Sequence, residues 1–229
     1  MRIAFISDTH GFQDKLGPAP EGIDLLIHCG DFMNGGKSYI EILEFNSWLG
    51  ELGFPTDKIL VGSGNHDIAF DEYHIASSPE QAREARRLLN NCIYLQDESV
   101  TIKGVKFYFS PWTPYFMGWG FNVNRGAEIK EFWDKIPEDT NVLVTHGPPY
   151  GILDQPLPGR TDNVGCEDLG YRISSLTNLK YHAFGHIHGS RGIHHPKSYG
   201  LQQTTFINAS FLDERYRPHP GSGYTIVEI

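Results

Sequence analysis

The chain has 229 residues, 39% hydrophobic and 13% aromatic, enough for one enzyme-sized globular unit with a sizeable core. Its formal net charge of −9, from 19 Lys and Arg against 28 Asp and Glu, speaks against duplex-DNA binding through a basic face. No apolar run approaches the roughly 20 residues of a membrane span, and the first one meets Asp8 too early for a secretory signal. A single domain over residues 1–229, cytoplasmic and free of membranes, is the expectation. Cys29, Cys92 and Cys166 are widely spaced and form no CxxC pair, which fits reduced intracellular thiols.

Arg2 to Ser7 reads as a buried strand ending at Asp8-Thr9-His10-Gly11. On an extended backbone, residues two apart point to the same side, so Asp8 and His10 are expected to reach one ion. The next apolar run, Ile23 to Cys29, stops at Gly30-Asp31, while His28 inside it reads as a core residue. Tyr39, Ile42, Phe45, Leu49 and Leu52 recur at helical spacing and mark an amphipathic helix that ends near Gly53 and Pro55. Ile59-Leu60-Val61 then runs into Gly62-Ser63-Gly64-Asn65-His66-Asp67. Here the two glycines permit positive φ. Asn65 offers a neutral oxygen, His66 an imidazole, and Asp67 a carboxylate able to hold that imidazole in one tautomer.

Pro79 to Asn91 reads as a helix whose Arg83, Arg86 and Arg87 form a solvated face. Ile93 to Leu95, Val100 to Lys103 and Val105 to Ser110 read as short strands, the last two joined as a hairpin through Gly104. Pro111 to Asn122 carries five aromatics in a Pro- and Gly-broken loop, either folded back into the core or forming a wall against substrate. Trp112, Tyr115, Asn122 and Arg125, with Tyr150 further on, are the candidates for that wall. Asn122 and Arg125 are the polar groups suited to a phosphate oxygen.

Residues 126–136 read as helix, and Asn141 to Thr145 as a strand ending at His146. A long connection through Arg160 leads to a helix carrying Leu169, Ile173, Leu176 and Leu179. Lys180 to Phe184 is the next strand, ending at Gly185-His186-Ile187-His188, where two alternating imidazoles are again expected to face one way. Gln203 to Asn208 and Gly223 to Glu228 close the chain as strands. Asn208-Ala209-Ser210 matches a glycosylation sequon but sits at a strand end.

Five apolar runs thus each end in metal-binding chemistry: Asp8/His10, Asp31, Asn65/His66, His146 and His186/His188. In a sheet of parallel strands the carboxyl ends gather along one edge, so these positions are expected to converge. Leaving His66 aside, two carboxylates, one amide and four imidazoles exceed the needs of one ion and suit two. Without a thiolate the set fits manganese first, with iron, zinc, cobalt or nickel as alternatives.

The order Asp-x-His, Gly-Asp, Gly-Asn-His-Asp, His and Gly-His-x-His resembles the calcineurin-like metallophosphoesterase superfamily, with every signature position filled between residues 8 and 188. The resemblance implies an α/β fold, a four-layer α/β/β/α sandwich of two mixed β-sheets flanked by helices, with the strands after His188 in the second sheet. It also implies that Asp8, His10, Asp31 and His188 hold one ion, and that Asp31 bridges to a second completed by Asn65, His146 and His186. Ser110-Pro111-Trp112-Thr113-Pro114, Trp119-Gly120-Phe121-Asn122 and His146-Gly147-Pro148-Pro149-Tyr150-Gly151 resemble the narrower MPPED-like metallophosphodiesterases. That group points to phosphodiesters, cyclic nucleotides among them. Some of its members lack the first His of Gly-His-x-His and are weak catalysts, whereas His186 is present here.

Two ions roughly 3.5–4 Å apart can depress the pKa of a shared water and neutralise the non-bridging oxygens of a bound phosphate. His66, outside both implied ligand sets, is then expected to protonate the leaving oxygen or stabilise the phosphoryl group, with Asp67 orienting its ring. The expected partner is a small phosphodiester, with no stable nucleic-acid complex; a homodimer is permitted. The rival readings are a phosphomonoesterase or protein phosphatase, for which only Arg125 and Arg160 offer positive charge, a nuclease on short single strands, and a non-catalytic scaffold.

Overall fold

The computed structural model of the protein describes residues 1–74, 76–157, 159, 161–196, 203–221 and 223–229. In chain order the strands are β1 (Arg2–Ile6), β2 (Leu25–His28), β3 (Ile59–Val61), β4 (Ile93–Tyr94), β5 (Glu98–Ile102), β6 (Val105–Ser110), β7 (Thr113–Pro114), β8 (Asn122–Val123), β9 (Val142–Thr145), β10 (Tyr181–Phe184), β11 (Gly192–His194), β12 (Thr205–Asn208) and β13 (Thr225–Glu228). The α-helices are α1 (Tyr39–Glu51), α2 (Pro79–Leu88), α3 (Ala127–Trp133) and α4 (Glu167–Ser175). Ser38 caps α1 by accepting from the Ile40 N–H, and Ser78 caps α2 by accepting from Gln81, with Pro79 in the first turn where its missing N–H costs nothing.

Of the two large sheets one runs β13-β1-β2-β3-β4 and the other β11-β12-β10-β9-β6-β5, while β7 and β8 pair only with each other. Within them β1, β2, β3 and β4 are mutually parallel, as are β6, β9, β10 and β12, while β13, β5 and β11 pair antiparallel at the edges. The sheets lie face to face because alternate residues supply two apolar faces per strand. Ile3, Phe5, Leu25, Ile27 and Leu60 meet Phe107, Phe109, Val142, Val144 and Ile207 in the central layer, all buried. The intervening residues turn outward: Ala4, Leu26 and Val61 towards Ile42, Phe45 and Leu49 of α1, and Leu143, Phe184 and Phe206 towards the side of α3 and α4. Each Val, Leu, Ile or Phe side chain among them, fully buried, contributes roughly 1.5–3 kcal/mol.

The two-sheet sandwich flanked by helices agrees with expectation, with one correction. Strand β13 does not join the second sheet; it pairs with β1, Arg2 opposite Glu228, at the edge of the first. Its half-buried alternation suits an edge strand in either sheet, so nothing in its own residues distinguishes them. The hairpin β5–β6 turns through Lys103 and Gly104, both at positive φ, as a tight primed turn requires. Among the described residues no helix is long and apolar enough to cross a membrane. The three cysteines are free, and Asn208 is fully buried, which closes the sequon to modification.

Candidate metal centre

The parallel strands β1, β2, β3, β9 and β10 deliver Asp8 and His10, Asp31, Asn65, His146, and His186 and His188 from their carboxyl ends, as anticipated. The local geometry is different from the extended backbone expected. Asp8, His10, Asp31 and His186 all have left-handed φ, at 53°, 43°, 57° and 66°, a conformation that costs an L-residue roughly 1–2 kcal/mol. Side-chain alternation therefore does not aim these groups; sharp backbone turns do. The turns hold because neighbouring loops share hydrogen bonds: Asp8 N–H to Gly30 O, His10 N–H to Asp31 O, and Gly185 N–H to His146 O, at 2.9–3.0 Å. Nor do Gly62 and Gly64 serve by positive φ, which neither adopts. Gly64 matters because a Cβ there would collide with Asp31 Oδ1 and His146 Nδ1, as one at Gly185 would with Asp8 Oδ2.

Donor atoms of Asp8, His10 and His188 lie within 4.8 Å of one another, as do those of Asp31, His146 and His186, and those of His10, Asp31 and His66. Asp31 and His10 thus connect the clusters. His188 Nε2 lies 3.2 Å from Asp8 Oδ1, His146 Nε2 lies 3.2 Å from Asp31 Oδ2, and Asn65 Oδ1 lies 2.9 Å from His146 Nε2. The ligand set implied by the sequence comes together whole.

Whether these residues fit cations can be tested on the imidazoles themselves. His10 Nδ1 donates to Met33 O and His188 Nδ1 to Asp213 O, both at 3.1 Å. Neither neutral ring then has a proton on Nε2, yet the two Nε2 atoms face each other across 3.3 Å. Opposed lone pairs need a positive charge between them, a proton or a metal ion. His146 repeats the pattern, with Nδ1 donating to Cys29 O and Nε2 turned towards two oxygens. Backbone acceptors that fix the metal-facing nitrogen are the usual support of histidine ligands. The residues fit.

Electrostatics agree. Burial pushes the His146 and His188 pKa values down, but the adjoining Asp31 and Asp8 carboxylates outweigh it and lift both to about 9. Burial opposes ionisation of Asp8 and Asp31 as well, yet the surrounding imidazoles leave both carboxyls below the ordinary range. His10 falls to about 4 and His186 to about 3, chiefly through burial. His28 is satisfied by Thr9 Oγ1 and the Gly30 N–H, consistent with a core residue.

Asp67 does not orient His66. It accepts from the backbone N–H groups of Asp31, Met33 and Gly64, at 2.7–2.9 Å, and so fastens the β2 and β3 loops together. The His66 ring is set instead by its Nδ1, which donates to Asn34 O at 2.7 Å, and by Trp119, stacked on it with centroids 3.9 Å apart and planes at 22°. In the sequence Trp119 reads as part of the aromatic loop expected to face substrate and of the Trp119-Gly120-Phe121-Asn122 resemblance, with no role at His66. A second contact absent from the sequence reading is Tyr216, whose ring lies 4.9 Å from that of His10 and 5.5 Å from that of His188. No local pattern marks either residue; both are brought in by loops closing from elsewhere.

The expected substrate wall largely dissolves. Trp112 is 4% exposed, donates from Nε1 to Asp97 and packs on Phe132, so it belongs to the core. Asn122 spends its amide on Thr113 Oγ1, Gly120 O and the Phe116 N–H, which close its own loop. Arg125 donates to Gly165 O and Val164 O, tying the start of α3 to that of α4 rather than reaching for phosphate. Tyr115 and Tyr150 are exposed, at 63% and 47%. Arg160 lies outside the described residues.

A family profile described as calcineurin-like phosphoesterase matches residues 1–190. The human "Metallophosphoesterase domain-containing protein 1" is 39% identical over 232 aligned positions, covering 95% of this chain and 68% of that protein. A UPF0046 protein of Caenorhabditis elegans is 38% identical, covering 92% of this chain and 69% of its own. Among solved structures, the protein TT1561 of Thermus thermophilus superposes with a TM-score of 0.57 at 14% identity, covering 90% of this chain and 88% of that one, a similarity of fold alone.

Proposed function

Because the chain belongs to the calcineurin-like phosphoesterase family, and so to the phosphoester hydrolases, we propose that it hydrolyses small phosphodiesters, cyclic nucleotides among them, with two divalent ions, manganese first. Asp8, His10, Asp31 and His188 would hold one ion, and Asp31, Asn65, His146 and His186 the other. The ions, when bound, offset charge on the non-bridging phosphate oxygens and acidify water.

The observation that favours a diester over a monoester is the engagement of Arg125. A monoester dianion gains from a fixed cation beside the metal site, and this guanidinium is committed to two backbone carbonyls. A diester carries one negative charge fewer. His66 fits hydrolysis of either ester, since both release an alkoxide. With Nδ1 engaged by Asn34 O, Nε2 is the nitrogen left to hold a proton for a departing alkoxide. An alkoxide leaving group needs such a donor, and the Trp119 stack keeps the ring in place for it.

The test is metal-stripped protein reloaded with Mn²⁺ and offered bis(p-nitrophenyl) phosphate beside p-nitrophenyl phosphate. The expected outcome is preference for the diester in kcat/KM. Preference for the monoester would replace this reading with a phosphomonoesterase, and ion binding without activity on either would favour a scaffold.

A further inference from the structure

The segment from Phe211 to His219 closes over the His188 side of the centre, and its geometry is unusually well tied. Asp213 organises it: its carboxylate accepts from the Arg215 N–H at 2.8 Å, the Arg217 N–H at 3.0 Å and the Arg217 guanidinium at 2.7 Å, and its carbonyl accepts from the Tyr216 N–H. A Leu212–Pro218 bridge closes the base. The segment is then pinned to the turn carrying His188 by three bonds. His188 Nδ1 donates to Asp213 O, His219 Nε2 to His188 O, and the Gly189 N–H to Glu214 Oε1.

The tip of this segment is Tyr216, held at a φ of 56°. A bulky aromatic in the left-handed region is strained, and such strain persists only where the surroundings impose it. What it secures here is the ring's place beside His10 and His188, in a side chain that stays 38% exposed. Burial, and after it the Asp31 and Asp8 carboxylates, hold the pKa of its hydroxyl above that of an ordinary phenol. The hydroxyl has no hydrogen-bond partner among the described residues, so its donor is available to a ligand. Apolar cover for the two imidazoles would need the ring only.

We propose that the Tyr216 hydroxyl is a substrate contact, donating a hydrogen bond to a non-bridging oxygen of the phosphate group bound at the centre. The proposal rests on the phosphoester reading above, but not on which ester is cleaved, since every such substrate and the phosphate product present the same oxygens. Tyr216 would then be the protein donor on the His10/His188 side of the phosphate, opposite in role to His66, which serves the leaving oxygen.

The experiment uses Mn²⁺-loaded wild type, Tyr216→Phe and, as a control on a remote exposed tyrosine of α4, Tyr171→Phe. Three quantities are read: bound metal by elemental analysis, affinity for inorganic phosphate by calorimetry, and kcat/KM on bis(p-nitrophenyl) phosphate. Tyr216→Phe keeps the ring and removes the donor. The expected result is unchanged metal content, phosphate affinity about tenfold weaker, and a similar fall in kcat/KM, the size of one hydrogen bond to a charged acceptor. Unchanged phosphate affinity with the ions in place would overturn the proposal, and so would loss of metal, which would make Tyr216 a support of the ligands. If wild type binds phosphate but cleaves no diester, the functional reading fails while the phosphate affinities still decide the role of Tyr216.

Discussion

Asp31 is the residue on which the centre depends most, because its carboxylate lies among the donors of two clusters and also accepts from the His66 N–H at 2.7 Å. Asp31→Asn is therefore expected to weaken both ions, whereas His188→Ala, which touches only the Asp8/His10 side, should release one and keep the other. Metal content after dialysis separates the two cases. At His66 the expectation is reversed: His66→Ala should retain the metal and lower turnover by about 10²–10⁴-fold. Loss of metal in that variant would recast His66 as a ligand, a role its distance to His10 and Asp31 makes worth testing. The ligand residues were legible in the sequence because each stands just beyond an apolar run. The left-handed turns that aim them were not: Asp and His adopt that conformation more readily than most L-residues, but still in a small minority of cases, and the sequence does not mark which. Asp67 shows the same limit. Adjacency to His66 marked it as a ring partner, but its true partners are N–H groups contributed by residues 31, 33 and 64.

Among the elements, the strands were the most legible, since short β-branched and aromatic runs bounded by Gly, Pro and Asp leave few alternatives. Sheet membership was less so: β13 carries no mark of the strand it pairs with. The loop between β6 and α3 divides its aromatics in a way that only packing decides, with Trp112 and Phe121 buried, Tyr115 and Phe116 exposed, and Trp119 between them against His66. The turn after β10 is the most tightly fitted of the loops. Gly185 there abuts Asp8, whose carboxylate accepts from the His186 N–H on both oxygens and from Ser210 Oγ, all at 3.0 Å. Interiors tolerate no such intrusion without a shift. Gly185→Ala should displace Asp8 and weaken the Asp8/His10/His188 site by at least tenfold in metal affinity, while far-ultraviolet circular dichroism remains that of the wild type.

For the molecule as a whole, the centre makes stability depend on pH and metal together. In the metal-free protein His146 and His188 titrate near 9, above the ordinary 6.5. Their contribution is present below pH 6.5 and is lost as the pH rises from 6.5 through 9. His10 and His186, depressed to about 4 and 3, act on the other side, where stability falls as the pH drops below 6.5 and the unfolded chain takes up protons first. Metal binding requires neutral imidazoles and displaces the protons of His146 and His188, so ions bind more tightly as the pH rises. The difference in Tm between metal-loaded and metal-free protein is accordingly expected to widen from pH 6.5 to 9, as thermal scans with and without a chelator would show. A constant difference would mean that these two imidazoles do not bind the ions.

The ligands come from both sheets: Asp8, His10, Asp31 and Asn65 follow strands of one, and His146, His186 and His188 follow strands of the other. Near the centre the two sheets are stitched by the Ser7–Ser210 bridge, and the three cysteines are free, so no disulfide joins them. Bound ions would act as rivets across that seam, tying chain positions as far apart as residues 8 and 188. Such a rivet is removable, and its loss would lower the cost of opening that end of the sandwich. The lifetime of the protein would then follow the supply of metal, with starved molecules nicked by proteases at the seam loops and replete ones spared.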